Sequence, residues 1–272
     1  MDLNLQDFRE CCLIDLQLAE STTERHVNRI RKLLKKGELK EYTKQDLRTH
    51  LMKVKEKMSA SAYKNELASL KKFFGDYLGM PHLVDSFKYP RQGFRPISVP
   101  SKTELKAFYK TLESLRDKAA FLMFASSGLR HSEMLSLDRF QDIDLENRML
   151  MPRKEPNKSK HCWLSFYNAE AESDLRKYLR NRKDKEPRLF PISKRHVLRI
   201  FKKATEATGI KITPQLLRDW FCSEMGSLGV PDRYVDAFCG RVPKSVLARH
   251  YTDFSPEKLK RIYDKAGLKL LS

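Results

Sequence analysis

From residue 21 to residue 79 apolar side chains return every three or four positions, the interval that stacks them on one face of a helix. Three such runs follow one another. The first opens at "STTE", where Ser21 and Glu24 have the spacing of a capping box, and carries Val27, Ile30 and Leu34 on one face. The second starts behind the cap candidate Thr43 and repeats Leu47, Leu51, Val54 and Met58. The third holds Tyr63, Leu67, Leu70, Phe74 and Tyr77, and stops at Gly79 with Pro81 beyond. The pattern predicts a small helical domain over 21–90, after an N-terminal segment, 1–20, to which it assigns no role. Pro90, Pro96 and Pro100, with Gly93, then break the periodicity, so 91–100 reads as a linker.

A second domain, 101–272, opens on another capping-box spacing at Ser101 and Glu104, with Leu105, Phe108 and Leu112 on one face. "KAAFLMFASSG" is apolar nearly all round, as a buried helix running into Gly128 would be. A strand near 148–152, a Pro/Asn/Lys turn and a second strand near 161–166 follow as a hairpin. Five helical patterns complete the chain, and Pro214, Pro231 and Pro256 stand where a first helical turn needs no N–H. The fold class expected is mainly α, with one short antiparallel β-hairpin or sheet. In the last helix Leu259, Ile262, Tyr263, Ala266, Leu268 and Leu270 could dock on a neighbour or on their own domain. Trp163 and Trp220 read as core.

Charge changes this picture. Over 272 residues the net charge is +19, with 40% hydrophobic residues, enough to bury a core. Arg25, Arg29, Lys32, Lys53, Lys57, Lys64 and Lys72 fall between the apolar stripes of the first domain. A folded chain this basic suits a polyanion, whose release of counterions makes binding sensitive to salt. The five cysteines form no C-x-x-C pair, which argues against a zinc ribbon or disulfide framework and for a reducing, cytoplasmic home. No run approaches the ~18 apolar residues of a membrane span, and no secretory signal opens the chain.

Which chemistry could such a protein perform on a nucleic acid? Acidic residues are not clustered as a two-metal nuclease needs, and no phosphate-binding G-x-x-x-x-G-K-[ST] loop is present. Neither a metal nor a cofactor is therefore expected. A covalent route through a tyrosine remains, with Tyr251 in "RHYTDFS" the candidate. A phenol with a pKa of about 10 attacks a phosphodiester only if cations stabilise the growing charge. Arginine suits that task because its planar fork gives paired hydrogen bonds to phosphate. A proton donor for the departing 5′ oxygen completes the demand. Arg130 in "SSGLRHSEMLSL", Arg218 in "TPQLLRDWF" and Arg241 in "CGRVPK" fit it, Arg218 among apolar neighbours that would half-bury it.

The order G-L-R-x-x-E-x-L-x-L, D-I-D, x-x-L-R, a glycine with a basic residue, then tyrosine resembles the tyrosine recombinase or phage integrase family. The likeness spans about 101–272, and the helical domain before it matches the family's core-binding domain in size and place. Two positions depart from the usual pattern: Gln215 stands for a histidine, and Arg241 for a histidine or tryptophan. Both departures are similar to the fusellovirus-type integrases of archaeal viruses and plasmids. The resemblance implies a C-shaped clamp on duplex DNA, with Tyr251 the nucleophile and Arg130, Arg218 and Arg241 on the phosphate oxygens. It implies Gln215 in place of a histidine, and a hairpin lysine as acid, with Lys160 first, then Lys158, then Lys154. Glu133 would orient the neighbourhood of Arg130, His250 reads as structural, and His131 and His161 as surface or boundary residues. Four protomers on two duplex attachment sites, in the integration or excision of a mobile element, are the implied assembly and use. Two alternatives stay open: a type IB topoisomerase-like or chromosome-dimer-resolving enzyme, and a DNA-binding clamp without catalysis.

Overall fold

Phe8 and Cys12 sit one helical turn apart, and both are fully buried in the computed structural model. It describes residues 5–34, 42–91, 93, 96–153, 162–241 and 245–272, the side chains of 248 and 249 aside. The chain divides into two compact units, Met1–Arg95 and Pro96–Ser272.

In the first unit the N-terminal segment supplies a helix, α1 (Leu5–Ile14), that packs on α2 (Glu20–Leu34). The expected capping box at Ser21 is not formed. The helix begins one residue earlier, and Glu24 is taken instead by Arg9 of α1 at 3.2 Å, beside an Arg9–Glu20 pair. Across 43 positions of sequence, His26 of α2 meets Ser69 at 2.8 Å. α3 (Lys44–Lys57) does open on Thr43, whose side chain and Asp46 cap each other's backbone N–H. α4 (Ala60–Leu70) runs into a π-helical stretch, Lys71–Tyr77. There Leu78 N–H reaches back five residues to Phe73 O, widening the coil. The 3.6-residue stripe therefore slips: Phe73, which the periodicity leaves off the inner face, is buried beside Phe74 and stacks edge-on against Phe8 at 5.0 Å.

The second unit is built around α6 (Leu115–Ser127), whose residues from Ala119 to Ser127 are all buried. Before it comes α5 (Lys102–Lys110), capped reciprocally by Ser101 and Glu104. α7 (His131–Ser136) is a short helix that starts just beyond Gly128. Three two-residue strands, β1 (Ile143–Asp144), β2 (Met149–Leu150) and β3 (Ser165–Phe166), form an antiparallel sheet in that order. Ile143 pairs with Leu150 and Met149 with Phe166, so the expected hairpin gains a third strand from the "DID" segment.

Helices α8 (Ala169–Arg180), α9 (Lys194–Thr208), α10 (Pro214–Ser227), α11 (Asp232–Phe238), α12 (Val246–His250) and α13 (Pro256–Ala266) follow. α8 and α10 pack on α6. α13 lies on its own unit: Leu259 and Tyr263 are buried, and Tyr263 donates its hydroxyl to Ser126 O at 2.6 Å. Glu170 receives the N–H groups of Leu270 and Leu271, which ties the tail to α8. Among the described residues no helix is long and apolar enough to cross a membrane.

Candidate active site

Arg218 is a buried charge of the second unit, 3% exposed on α10 with Leu217, Trp220 and Phe221 buried around it. A guanidinium cannot be left dry without partners, and this one finds two backbone carbonyls. Its Nη1 donates to Gly128 O at 2.5 Å and its Nη2 to Cys239 O at 2.7 Å. One side chain thus bridges the end of α6 and the end of α11. Three of its five N–H bonds remain for other acceptors.

Both loops carry another candidate arginine. Gly128 adopts φ +64 at the end of α6, and a Cβ there would fall 2.5 Å from the Phe221 ring, so only glycine fits. Two residues on, Arg130 enters α7 in an extended conformation. Its Nη2 donates to Gly240 O at 3.3 Å, and its Nη1 to Glu133 at 2.8 Å. At the other loop Gly240 takes φ +57, which folds the chain back so that Arg241 N–H reaches Asp236 O at 2.8 Å. The Arg241 side chain, 43% exposed, is held to the Asp236 carboxylate at 3.3 Å. Residues 239 to 241 are therefore gripped by Arg218, then by Arg130, and then present a guanidinium of their own.

Glu133 does more than steer Arg130. Its carboxylate accepts the Arg130 N–H and side chain, and also the N–H of Cys162 at 3.2 Å, where the hairpin returns. Lys154, Lys158 and Lys160 precede that anchor in the chain and lie outside the described residues, as does His161. Gln215 is exposed on the first turn of α10 and donates to Asp219 at 3.0 Å. Tyr251 directly follows α12 and is 77% exposed. Among the described residues no hydrogen bond joins either of them to the three arginines, of which Arg218 and Arg130 both bond the backbone of residues 239–240 that leads into Arg241. His131 is half-buried edge-on to Phe124, and burial, with Lys194 nearby, lowers its pKa. Trp220 is core, whereas Trp163 is not: it is 40% exposed. The chain is extended there, so Cys162 and Leu164 point inward and Trp163 between them points out.

That outward indole has a use that periodicity could not indicate. Phe254, three residues past Tyr251, sits edge-on to Trp163 at 5.9 Å and to Tyr234 of α11 at 6.1 Å. The segment following the tyrosine is thereby pinned between the hairpin and the helix that leads into the Arg241 loop.

Residues 100–258, more than half of the chain, match the Phage integrase family. The chain belongs to that family. Among similar proteins, tyrosine recombinase XerA of Pyrococcus horikoshii is 27% identical over 214 residues, 74% of this chain and 72% of that protein. Tyrosine recombinase XerC of Herpetosiphon aurantiacus is 28% identical over 256 residues, 85% of this chain and 81% of its own. The phage integrase fold is shared with a lambda integrase dimer bound to a COC′ core site, at a TM-score of 0.70 and 15% identity, over 89% of this chain and 94% of that one. Among the described residues of this family member no group of three or more histidine, cysteine or acidic side chains could hold a metal.

Proposed function

We propose that this phage integrase family member is a site-specific DNA recombinase that breaks and rejoins duplex DNA through a 3′-phosphotyrosyl link to Tyr251. The observation that carries the reading is the joint grip of Arg218 and Arg130 on residues 239–240, which gathers guanidinium groups from three distant segments.

Tyr251 gives its phenolic proton to solvent as Oη attacks the scissile phosphorus, the bond to the 5′ oxygen breaks, and that oxygen leaves with a proton from Lys160 or Lys158. Arg130, Arg218 and Arg241 hold the non-bridging oxygens, where negative charge grows in the transition state. The carbonyl contacts of Arg218 keep it in place before substrate arrives, so little reorganisation is needed. Gln215, a neutral amide, supplies a hydrogen bond and not a base. The phosphotyrosyl bond conserves the energy of the broken linkage, and the new 5′ hydroxyl reverses the step without ATP.

Duplex DNA is the partner, a reading supported by the net charge of +19 and by the DNA-bound lambda integrase dimer that shares the fold. Four copies on two attachment sites, moving a mobile element into or out of a replicon, are the assembly and use that we assign. A nicked suicide duplex carrying the element's attachment site tests the reaction. A covalent protein–DNA band on denaturing electrophoresis is expected, and its absence at saturating, tightly bound DNA would leave a clamp without catalysis. General relaxation of supercoils without site-specific joining would mark a topoisomerase instead.

A further inference from the structure

Cys222 and Cys239 hold their sulfur atoms 3.4 Å apart, and neither belongs to the chemistry assigned above. Cys222 lies one turn beyond Arg218 on α10, so the two side chains leave the helix on the same face. Both meet residue 239, Arg218 at its carbonyl oxygen and Cys222 at its sulfur. The two thiols differ in character. The hydrogen bond from Cys239, with Arg241 and Arg218 nearby, lowers Cys222 to a pKa of about 7. That same bond and burial push Cys239 upward. Burial drives the others the wrong way for reaction, Cys12 to about 11 and Cys162 to about 12, and Cys11 is raised as well. Cys222 is also only partly buried, whereas Cys239 is fully enclosed. One accessible, thiolate-prone sulfur beside one buried partner is the arrangement of an attacking and a resolving thiol.

We propose that Cys222 and Cys239 are a redox modification site, joined reversibly by a low-molecular-weight disulfide and disarming the arginine cluster when joined. Cys222 gives its proton to solvent and the thiolate attacks one sulfur of the small disulfide, forming a mixed disulfide and releasing one small thiolate, which takes up a proton from solvent. Cys239 then attacks the Cys222 sulfur, passing its proton to the second departing thiolate. Two protein thiols are oxidised and one small disulfide is reduced to two thiols, so atoms and electrons balance.

The consequence follows from distance. A disulfide requires about 2.05 Å, so the sulfurs must close by about 1.4 Å. Cys239 Sγ is packed against Gly128, where even a methyl group would come within 3.1 Å of it. Drawing the sulfur toward α10 shifts the peptide whose carbonyl Arg218 holds, and the next peptide is the one that Arg130 holds. The bond therefore acts on two phosphate-clamping groups without touching either. Its effect on cleavage rests on the function proposed above; the bond itself does not.

The full-length protein treated with 2-hydroxyethyl disulfide provides the test. Non-reducing peptide mapping is expected to show Cys222 linked to Cys239, and adduct formation on nicked DNA to slow by about tenfold. Dithiothreitol restores the rate, and Cys222→Ser is indifferent to the treatment. Amide exchange gives a readout that needs no catalysis: linkage is expected to speed exchange at Gly240 and Arg241, whose N–H groups now bond Ala237 O and Asp236 O. The proposal is overturned if no linked peptide forms, or if linked protein keeps both its exchange pattern and its cleavage rate. A reduced protein that forms no adduct defeats the recombinase reading alone, and mapping with exchange then decides this one.

Discussion

Two substitutions separate chemistry from scaffolding at the level of single side chains. Tyr251→Phe removes one oxygen from an exposed ring, so the covalent adduct is expected to vanish while DNA affinity and melting temperature stay put. Denaturing electrophoresis and a binding titration read the two outcomes together; an adduct that survives would assign the nucleophile elsewhere. Arg218→Ala behaves differently, because it strands the Gly128 and Cys239 carbonyls in a dry interior. It is expected to cost about 2–4 kcal/mol in urea unfolding as well as all cleavage. The semi-buried place of Arg218 was legible from its apolar neighbours in "QLLRDWF". Its two acceptors were not, because neither carbonyl is identified by any residue type.

Packing between elements decides how the tyrosine segment is held. Phe254 fits between Trp163 and Tyr234, and Phe254→Ala removes both edge-on contacts. A fall in adduct rate of about tenfold is expected, with binding unchanged, since positioning and not affinity is lost. In the first unit the pairing of α2 with α4 carries a pH signature. Burial, with Lys72 and Arg29 nearby, lowers His26 from 6.5 to about 4. Between those values the unfolded chain binds the proton and the folded one does not, so this contribution is whole above pH 6.5 and is lost as pH falls toward 4. Urea midpoints are expected to drop between about pH 7.5 and about pH 5, and less so in His26→Gln. The caps at Thr43 and Ser101 were readable beforehand, because a cap involves residues three apart. Ser21 misled for a related reason: its partner Glu24 is claimed by Arg9, which lies beyond any local window.

For the molecule as a whole, the excess of cations sets how it meets DNA. The logarithm of the binding constant is expected to fall linearly with the logarithm of salt concentration, by about 0.9 per neutralised phosphate. A salt-independent titration would contradict the assignment of duplex DNA as the partner. Charge-reversing several exposed lysines is expected to flatten that slope without moving the cleavage site, because backbone contacts position a protein and base contacts specify it.

Local spacing by itself determined the helical periods, most of the helix boundaries, the G-L-R and x-x-L-R boxes and the basic balance, since each of these is written within a few turns of chain. Tertiary structure decided the rest. Arg218 reaches Gly128 from 90 positions away and Arg130 reaches Gly240 from 110, and the π-helical slip buries Phe73 against a helix near the other end of its unit. Such contacts join a side chain to a backbone oxygen or to a ring, and only a folded chain brings them within bonding distance.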